Sequence, residues 1–177
     1  MLRPATDSDT DDIRRWRNHP QVRAVSLTSH EIAPQEHAAW FAAARADARR
    51  RILIFEYEGR PAGVVNFTAI DPAGASANWG FYLDLDGLEE RGETLPAWMD
   101  VQREAIAYAF GQLGLDRLDA EVLEHNTVVR RMNRRFGFTE GEPTRTSIDG
   151  TVVTVYPIHL SRAEYESRAR NRKEHTS

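Results

Sequence analysis

Cysteine is missing altogether from this chain of 177 residues, so disulfide frameworks, thiolate zinc sites and cysteine nucleophiles are excluded. Long apolar runs are missing too, and nothing approaches the roughly 20 residues of a membrane-spanning helix. The amino terminus carries Arg3, Asp7, Asp9, Asp11 and Asp12 before any apolar stretch, which is not the pattern of a secretory signal. Charge of one sign is scarce: 23 basic against 27 acidic residues leave a net charge of -4. That balance argues against nucleic acid or a membrane surface as a partner. The six histidines show no metal-ligand spacing, so no metal site is expected. No internal repeat or Pro/Gly/Ser-rich linker divides the chain. A cytoplasmic domain is the expectation.

What is present is enough apolar residue, 41%, for one globular core. The domain is read as residues 1–160, followed by a charged tail at 161–177 that could form a helix and is assigned no function. Met1–Pro4 reads as a short edge strand. Thr6 or Ser8 caps a helix that turns Ile13 and Trp16 inward and ends near Asn18-His19-Pro20. Pro34 opens a second helix with Trp40, Phe41 and Ala44 as its stripe. Arg51–Tyr57, Gly63–Ile70 and Ser76–Leu83 read as a three-stranded meander, with turns at Glu58-Gly59-Arg60-Pro61 and Asp71-Pro72-Ala73-Gly74. Leu95–Leu113 keeps helical spacing up to Gly114. Leu118, Ala120 and Val122 alternate as a strand. Asn126 caps a short helix carrying Val129, Met132 and Phe136, and Phe138–Thr146 and Thr151–Leu160 flank an Asp149-Gly150 hairpin signal. The order is β-α-α-β-β-β-α-β-α-β-β. It predicts an α+β class, a mostly antiparallel mixed sheet with helices on both faces.

The stretch from Trp79 to Phe138 carries the most information. A strand (Trp79-Gly80-Phe81-Tyr82-Leu83) leads through an acidic loop, closed by Arg91-Gly92-Glu93-Thr94, into the long helix. Such a turn presents unpaired N–H groups to an anion. A second strand ending at Asn126 can frame a cleft leading from that anion site.

With its loop and caps, this order resembles the GNAT superfamily of acyl-CoA-dependent N-acetyltransferases over roughly Leu2 to Leu160. The superfamily's loop pattern, Gln/Arg-x-x-Gly-x-Gly/Ala, falls on Glu89-Glu90-Arg91-Gly92-Glu93-Thr94, where only Gly92 matches strictly. The later signature, Asn followed by Leu/Met and Gly-Phe, is met by Asn126, Met132, Gly137 and Phe138. Leu2-Arg3-Pro4, Trp16-Arg17-Asn18, Ile32, Glu36-His37 and Trp40-Phe41 resemble two branches. One comprises the ribosomal-protein-type N-terminal acetyltransferases; the other comprises the nucleotide-sugar amine acetyltransferases of the pseudaminic-acid pathway type. Trp79–Leu83 tips the resemblance toward the sugar-amine branch.

The resemblance implies acetyl-CoA as acyl donor, with the backbone of Phe81, Tyr82 and Leu83 pairing with the pantetheine amides. It implies a pyrophosphate held by Arg91, Gly92, Glu93, Thr94 and Leu95 at the start of the long helix. Asn126 and Asn133 would complete the cofactor site, and one of Arg130, Arg131, Arg134 and Arg135 would reach the 3′-phosphate. Relatives carry a sulfur-protonating Tyr where this chain has Asn133, which can donate a hydrogen bond but not readily a proton. Water, the outgoing ammonium or a Tyr from elsewhere, with Tyr82 one candidate, would substitute for that acid, and Glu121, or His125, would be the base acting through water. Arg17, Asn18, His30 and His37 would line the acceptor pocket.

The reaction expected is direct transfer to a primary amine of a small molecule, foremost a nucleotide-linked amino sugar. A protein or peptide N-terminus and a non-catalytic acyl-CoA-binding domain are the alternatives. The partner is a small-molecule amine, and the assembly a monomer or homodimer.

Overall fold

The computed structural model describes residues 1–71, 73, 75–148 and 150–174, the last three by their backbone alone. Eight strands form one sheet: β1 (Leu2–Pro4), β2 (Arg51–Tyr57), β3 (Arg60–Thr68), β4 (Ser76–Leu83), β5 (Arg117–Leu123), β6 (Thr139–Glu140), β7 (Thr144–Ile148) and β8 (Thr151–Ser161). Their order is β1-β2-β3-β4-β5-β8-β6, with β7 also on β8. Only β4 and β5 run parallel; the other pairs are antiparallel.

The expected class and element order hold, with additions. Helix α3 (Pro34–Ala46) opens at Pro34 as expected, whereas Thr6 caps a short 3-10 turn (Asp7–Asp9) and α1 (Thr10–Asn18) begins only after it, with Asp9 as its N-cap. A short α2 (Pro20–Ala24) lies between them, because Pro20 occupies the first turn of a new helix as well as ending the old one. The acidic loop contains α4 (Leu85–Glu90), where the Asp84 side chain accepts from Gly87 N at 3.4 Å. Helix α5 spans Thr94–Gly111 and α6 spans Thr127–Phe136. The strand expected over Phe138–Thr146 is broken into β6 and β7, which pair with different parts of β8. Pro72 and Gly74 of one expected turn, and Asp149 of the hairpin, lie outside the described residues.

Two apolar layers flank the sheet. Strand β2 reads as a continuous apolar run because both of its faces are covered. Ile52 and Ile54 join Ile13, Trp16, Phe41 and Ala44 beneath α1 and α3. Leu53 and Phe55 join Val65, Phe67, Val101, Ala105 and Leu118 beneath α5. Of β4, Ala77, Trp79, Phe81 and Leu83 face the α5 layer, while Tyr82 packs against the α1–α3 layer. Arg3 fastens the amino-terminal edge by donating to both Asp9 oxygens at 2.8 Å and to Glu56 at 2.8 Å.

The tail is an ordered helix, α7 (Arg162–Glu174). Ser161 and Glu164 cap it reciprocally, with Ser161 N and Oγ donating to the Glu164 carboxylate at 2.8 and 2.6 Å. Tyr165 packs on Phe110 with ring centroids 5.2 Å apart. Gly137, at φ 102°, ends α6 in the left-handed conformation. A Cβ there would also stand 2.6 Å from the Arg168 guanidinium.

Candidate functional site

Strands β4 and β5 pair only from Ser76 to Asn78 against Arg117 to Asp119. Beyond that, Trp79–Leu83 and Ala120–Leu123 part. Each arm stays bonded on its far side, Leu83 opposite Gly63 in β3 and Leu123 opposite Val155 in β8. The backbone groups of Phe81, Tyr82 and Leu83 that point toward β5 therefore have no strand partner, which is the edge an amide-bearing arm can extend as an added strand. On the α5 side of the gap, Trp79 stacks on Phe81 at 5.6 Å and on Phe138 at 5.7 Å. Trp98 meets Phe81 edge-on at 6.4 Å. The indole nitrogens of Trp79 and Trp98 and the Oε1 of Gln102 are buried without a partner. Two orphaned donors and an orphaned acceptor beside an unpaired strand edge fit a polar ligand arm such as pantetheine.

At the mouth, Gly92 adopts φ 67° between α4 and α5. The N–H groups of Gly92 and Glu93 donate to Glu89 O (3.0 Å) and Leu88 O (2.8 Å), closing α4. The expected cradle over Arg91–Leu95 is thereby reduced to Thr94 and Leu95, which head α5 with no intrahelical acceptor before them. The Arg91 side chain pairs with Glu93 at 2.7 Å and neutralises a carboxylate that would repel a pyrophosphate. Asn126 caps α6 through Val129 N at 3.4 Å. Arg130 and Arg134 are held by Glu140, and Arg130 also lies 3.6 Å over the Tyr156 ring. Arg131 and Arg135 are exposed.

Asn133 does not stand at the cleft edge. It is buried at 3% exposure, and its Oδ1 accepts from Gln102 Nε2 at 3.0 Å, because its place on α6 faces α5. Tyr82 is half-buried on the parted half of β4. Burial pushes its phenol well above the usual range, opposed by the Arg17 charge and by the Asn66 amide hydrogen-bonded to it. The phenol is therefore protonated at neutral pH. Glu121 is exposed on the parted half of β5, on the strand face opposite Val122.

The end of α1 governs the acceptor side. Asn18 exchanges two bonds with the Ile32 backbone, donating to O at 2.9 Å and accepting from N at 2.8 Å. Arg17 donates to Thr28 O at 2.7 Å. Helix α2 is tied on both flanks: His19 Nε2 lies 3.3 Å from Asp86 of α4, and His125 Nε2 lies 3.1 Å from Ala24 O. His30 pairs with Glu36 at 2.8 Å on the surface, where it depresses the Glu36 carboxyl. His37 is not part of an acceptor wall. It is buried beside Trp40 and Phe41 in the α1–α3 layer, where burial lowers its pKa and keeps it neutral. Sequence reasoning missed Gln102, Asn66 and His19. For Gln102 a signal existed, a polar residue on the buried stripe of α5; for the other two only the fold brings their partners near.

No curated protein matches the chain by sequence. Among solved structures, the spermidine N-acetyltransferase from Vibrio cholerae in complex with CoA and spermine superposes with TM-score 0.79 at 18% identity, covering 93% of this chain and 96% of that one. A variant of the same enzyme gives TM-score 0.77 at 18% identity, covering 96% and 99%. A protein assigned as a phosphinothricin N-acetyltransferase gives 0.71 at 21% identity, covering 91% and 97%. At these identities the likeness carries the fold alone. A family model described as an acetyltransferase (GNAT) domain matches residues 1–139. With the parted strands, the Gly92 turn and the Asn126 cap all inside that match, the chain belongs to the GNAT acetyltransferase domain family.

Proposed function

We propose that this acetyl-CoA-dependent N-acetyltransferase passes its acetyl group directly to a primary amine of a small molecule, with a nucleotide-linked amino sugar as the leading acceptor. The observation that carries the reading is the parting of β4 from β5 after Asn78 and Asp119. Acetyl-CoA, when bound, supplies the activated acyl group. Phe81, Tyr82 and Leu83 would hold its amides, Thr94 and Leu95 its pyrophosphate, with Arg91 balancing Glu93. The resemblance to the sugar-amine branch rests on Trp16-Arg17-Asn18 and on Trp79–Leu83.

Within the gap, the proposed division of labour follows from protonation. Glu121, exposed on β5, takes the proton from the acceptor ammonium through water. Tyr82 keeps its proton at neutral pH and donates a hydrogen bond to the departing thiolate, which takes up the proton that the amine nitrogen loses as the amide forms. Asn133, bonded to Gln102, positions α6 against α5 and transfers no proton. The two ties on α2 favour a small acceptor over a peptide N-terminus, because they bridge the mouth to α4 on one flank and to the β5–α6 loop on the other.

A polyamine is the second reading, favoured by an open cavity of about 470 Å³ whose walls carry Asp11, Asp12, Glu31 and Asp86 beside Arg14 and Arg15. The test is thiol release from acetyl-CoA with sugar nucleotides, free amino sugars, polyamines and peptides. Turnover on a nucleotide-linked amino sugar with none on peptides is expected. Turnover confined to peptides or polyamines would overturn the acceptor, and failure of coenzyme A to bind in calorimetry would overturn the whole reading.

A further inference from the structure

We propose that Arg17, with Arg23 beside it, forms an oxyanion subsite that selects acceptors carrying a carboxylate or phosphate near the primary amine. The inference rests on the acetyltransferase reading and names the acceptor's second recognition group.

Arg17 sits in the last turn of α1 with its Nη1 buried and, among the described residues, unpartnered, while its Nη2 donates to Thr28 O. Among the described residues no carboxylate pairs with it. The charged neighbour that acts on it is a second cation, Arg23, which donates to Ser29 O at 2.9 Å and lies 3.9 Å from Glu31. A half-buried guanidinium with an unpartnered Nη1, acted on by a second cation, is unfavourable unless an anion completes it. Loop anchoring does not explain the residue, because Asn18 already fastens the loop by two bonds to Ile32 and a neutral donor would serve Thr28 O equally well. The planar fork of arginine is instead suited to two oxygens of one carboxylate or phosphate.

Location points the same way. The Arg17 charge acts on the Tyr82 phenol, and Tyr82 lies on the parted half of β4. An acceptor anchored by its anion at Arg17 therefore has its amine directed toward the gap. Asn66, bonded to the same phenol, keeps its Oδ1 buried and unpaired, an acceptor for an N–H or O–H of the same molecule.

The experiment compares acceptors in matched pairs: amino acids against their amides, and amino-sugar phosphates against unphosphorylated amino sugars. In the wild type, kcat/KM should favour the anionic member by roughly tenfold or more. Arg17→Gln should bring that ratio close to one, Arg17→Lys should keep part of it, and the exposed Arg103→Gln should keep all of it. The amino-acid and sugar-phosphate arms tell carboxylate from phosphate. Equal turnover within pairs by the wild type, or an equal loss on both members in Arg17→Gln, would show a loop anchor only. Calorimetry with the same compounds, with and without coenzyme A, separates the two levels of the argument. Absent coenzyme A binding removes the acetyltransferase reading, whereas intact coenzyme A binding without anion preference removes only the role of Arg17.

Discussion

Strands β4 and β5 are one pair with two unlike halves. Where they meet, the residues other than Leu118 are short or polar, Ser76, Ala77 and Asn78 against Arg117, Leu118 and Asp119, and the Asp116 and Arg117 N–H groups add bonds to Ala75 O at 3.2 and 3.0 Å. Where they part, β4 carries Trp79 and Phe81, and Phe138 stacks on Trp79 from beyond α6. Each strand is bonded to a different outer neighbour, β4 to β3 from Asn78 to Leu83 and β5 to β8 from Arg117 to Leu123, so neither is free to swing inward. Side-chain volume on one face, with stitching on both far edges, keeps open a backbone edge that hydrogen bonding alone would close. The half that looks unfinished is the half that can hold a ligand.

The largest test of this contrast is Trp79→Ala. Removing a buried ring that touches both Phe81 and Phe138 should cost about 3–5 kcal/mol in chemical denaturation, and coenzyme A affinity should fall with it. A variant that keeps both would show that the rings do not hold the strands apart. Next comes Tyr82→Phe, which removes only the phenolic hydroxyl. Its kcat should drop about a hundredfold with the KM for acetyl-CoA nearly constant, and an undiminished kcat would move the partner of the thiolate elsewhere.

A third test leaves both halves alone. Hydrogen bonds from Arg3, against the cost of burial, hold the Asp9 carboxyl at about 2, below its ordinary 3.8. The unfolded chain thus takes up this proton more readily than the folded one. About 2 kcal/mol of stability, present above pH 4, should be lost as pH falls toward 2, and Asp9→Asn should flatten that part of the pH–stability curve. A decline of equal steepness in Asp9→Asn would assign the acid sensitivity to other carboxylates. The smallest effect belongs to the paired half. Arg117→Ala breaks an exposed ion pair to Asp119 and should cost below about 0.5 kcal/mol, leaving coenzyme A affinity intact. A loss of affinity there would mean that the zipped end also tunes the gap.

Much of the fold was legible because it is local. The Asn126 cap, the Gly137 stop and the boundaries of β2 and β4 follow from side-chain chemistry within a few residues. Two helices were legible in part and missed. In α4, the Asp84 cap and the Leu85–Leu88 spacing lie inside an acidic stretch interrupted by Gly87, which reads as loop. In α2, Pro20 reads as a terminator although it also suits a first turn. The site was less legible. Asn133 looks like a cleft residue until α5 supplies Gln102, and His37 looks like a surface histidine until α1 covers it. The N–H groups of Gly92 and Glu93 look available to an anion until α4 takes them.

By itself, the order of residues determined the element sequence, the α+β class, the turn before α5 and the absence of thiol chemistry, since each depends on periodicity, capping or composition along a short stretch. Only the tertiary structure decided where β4 and β5 part, that Arg17 meets no carboxylate among the described residues, and that burial pushes the Tyr82 phenol above its ordinary range. Those properties depend on which groups are brought together, or kept apart, across tens of residues. Burial and electrostatic pairing are set by that company, and no local pattern encodes it.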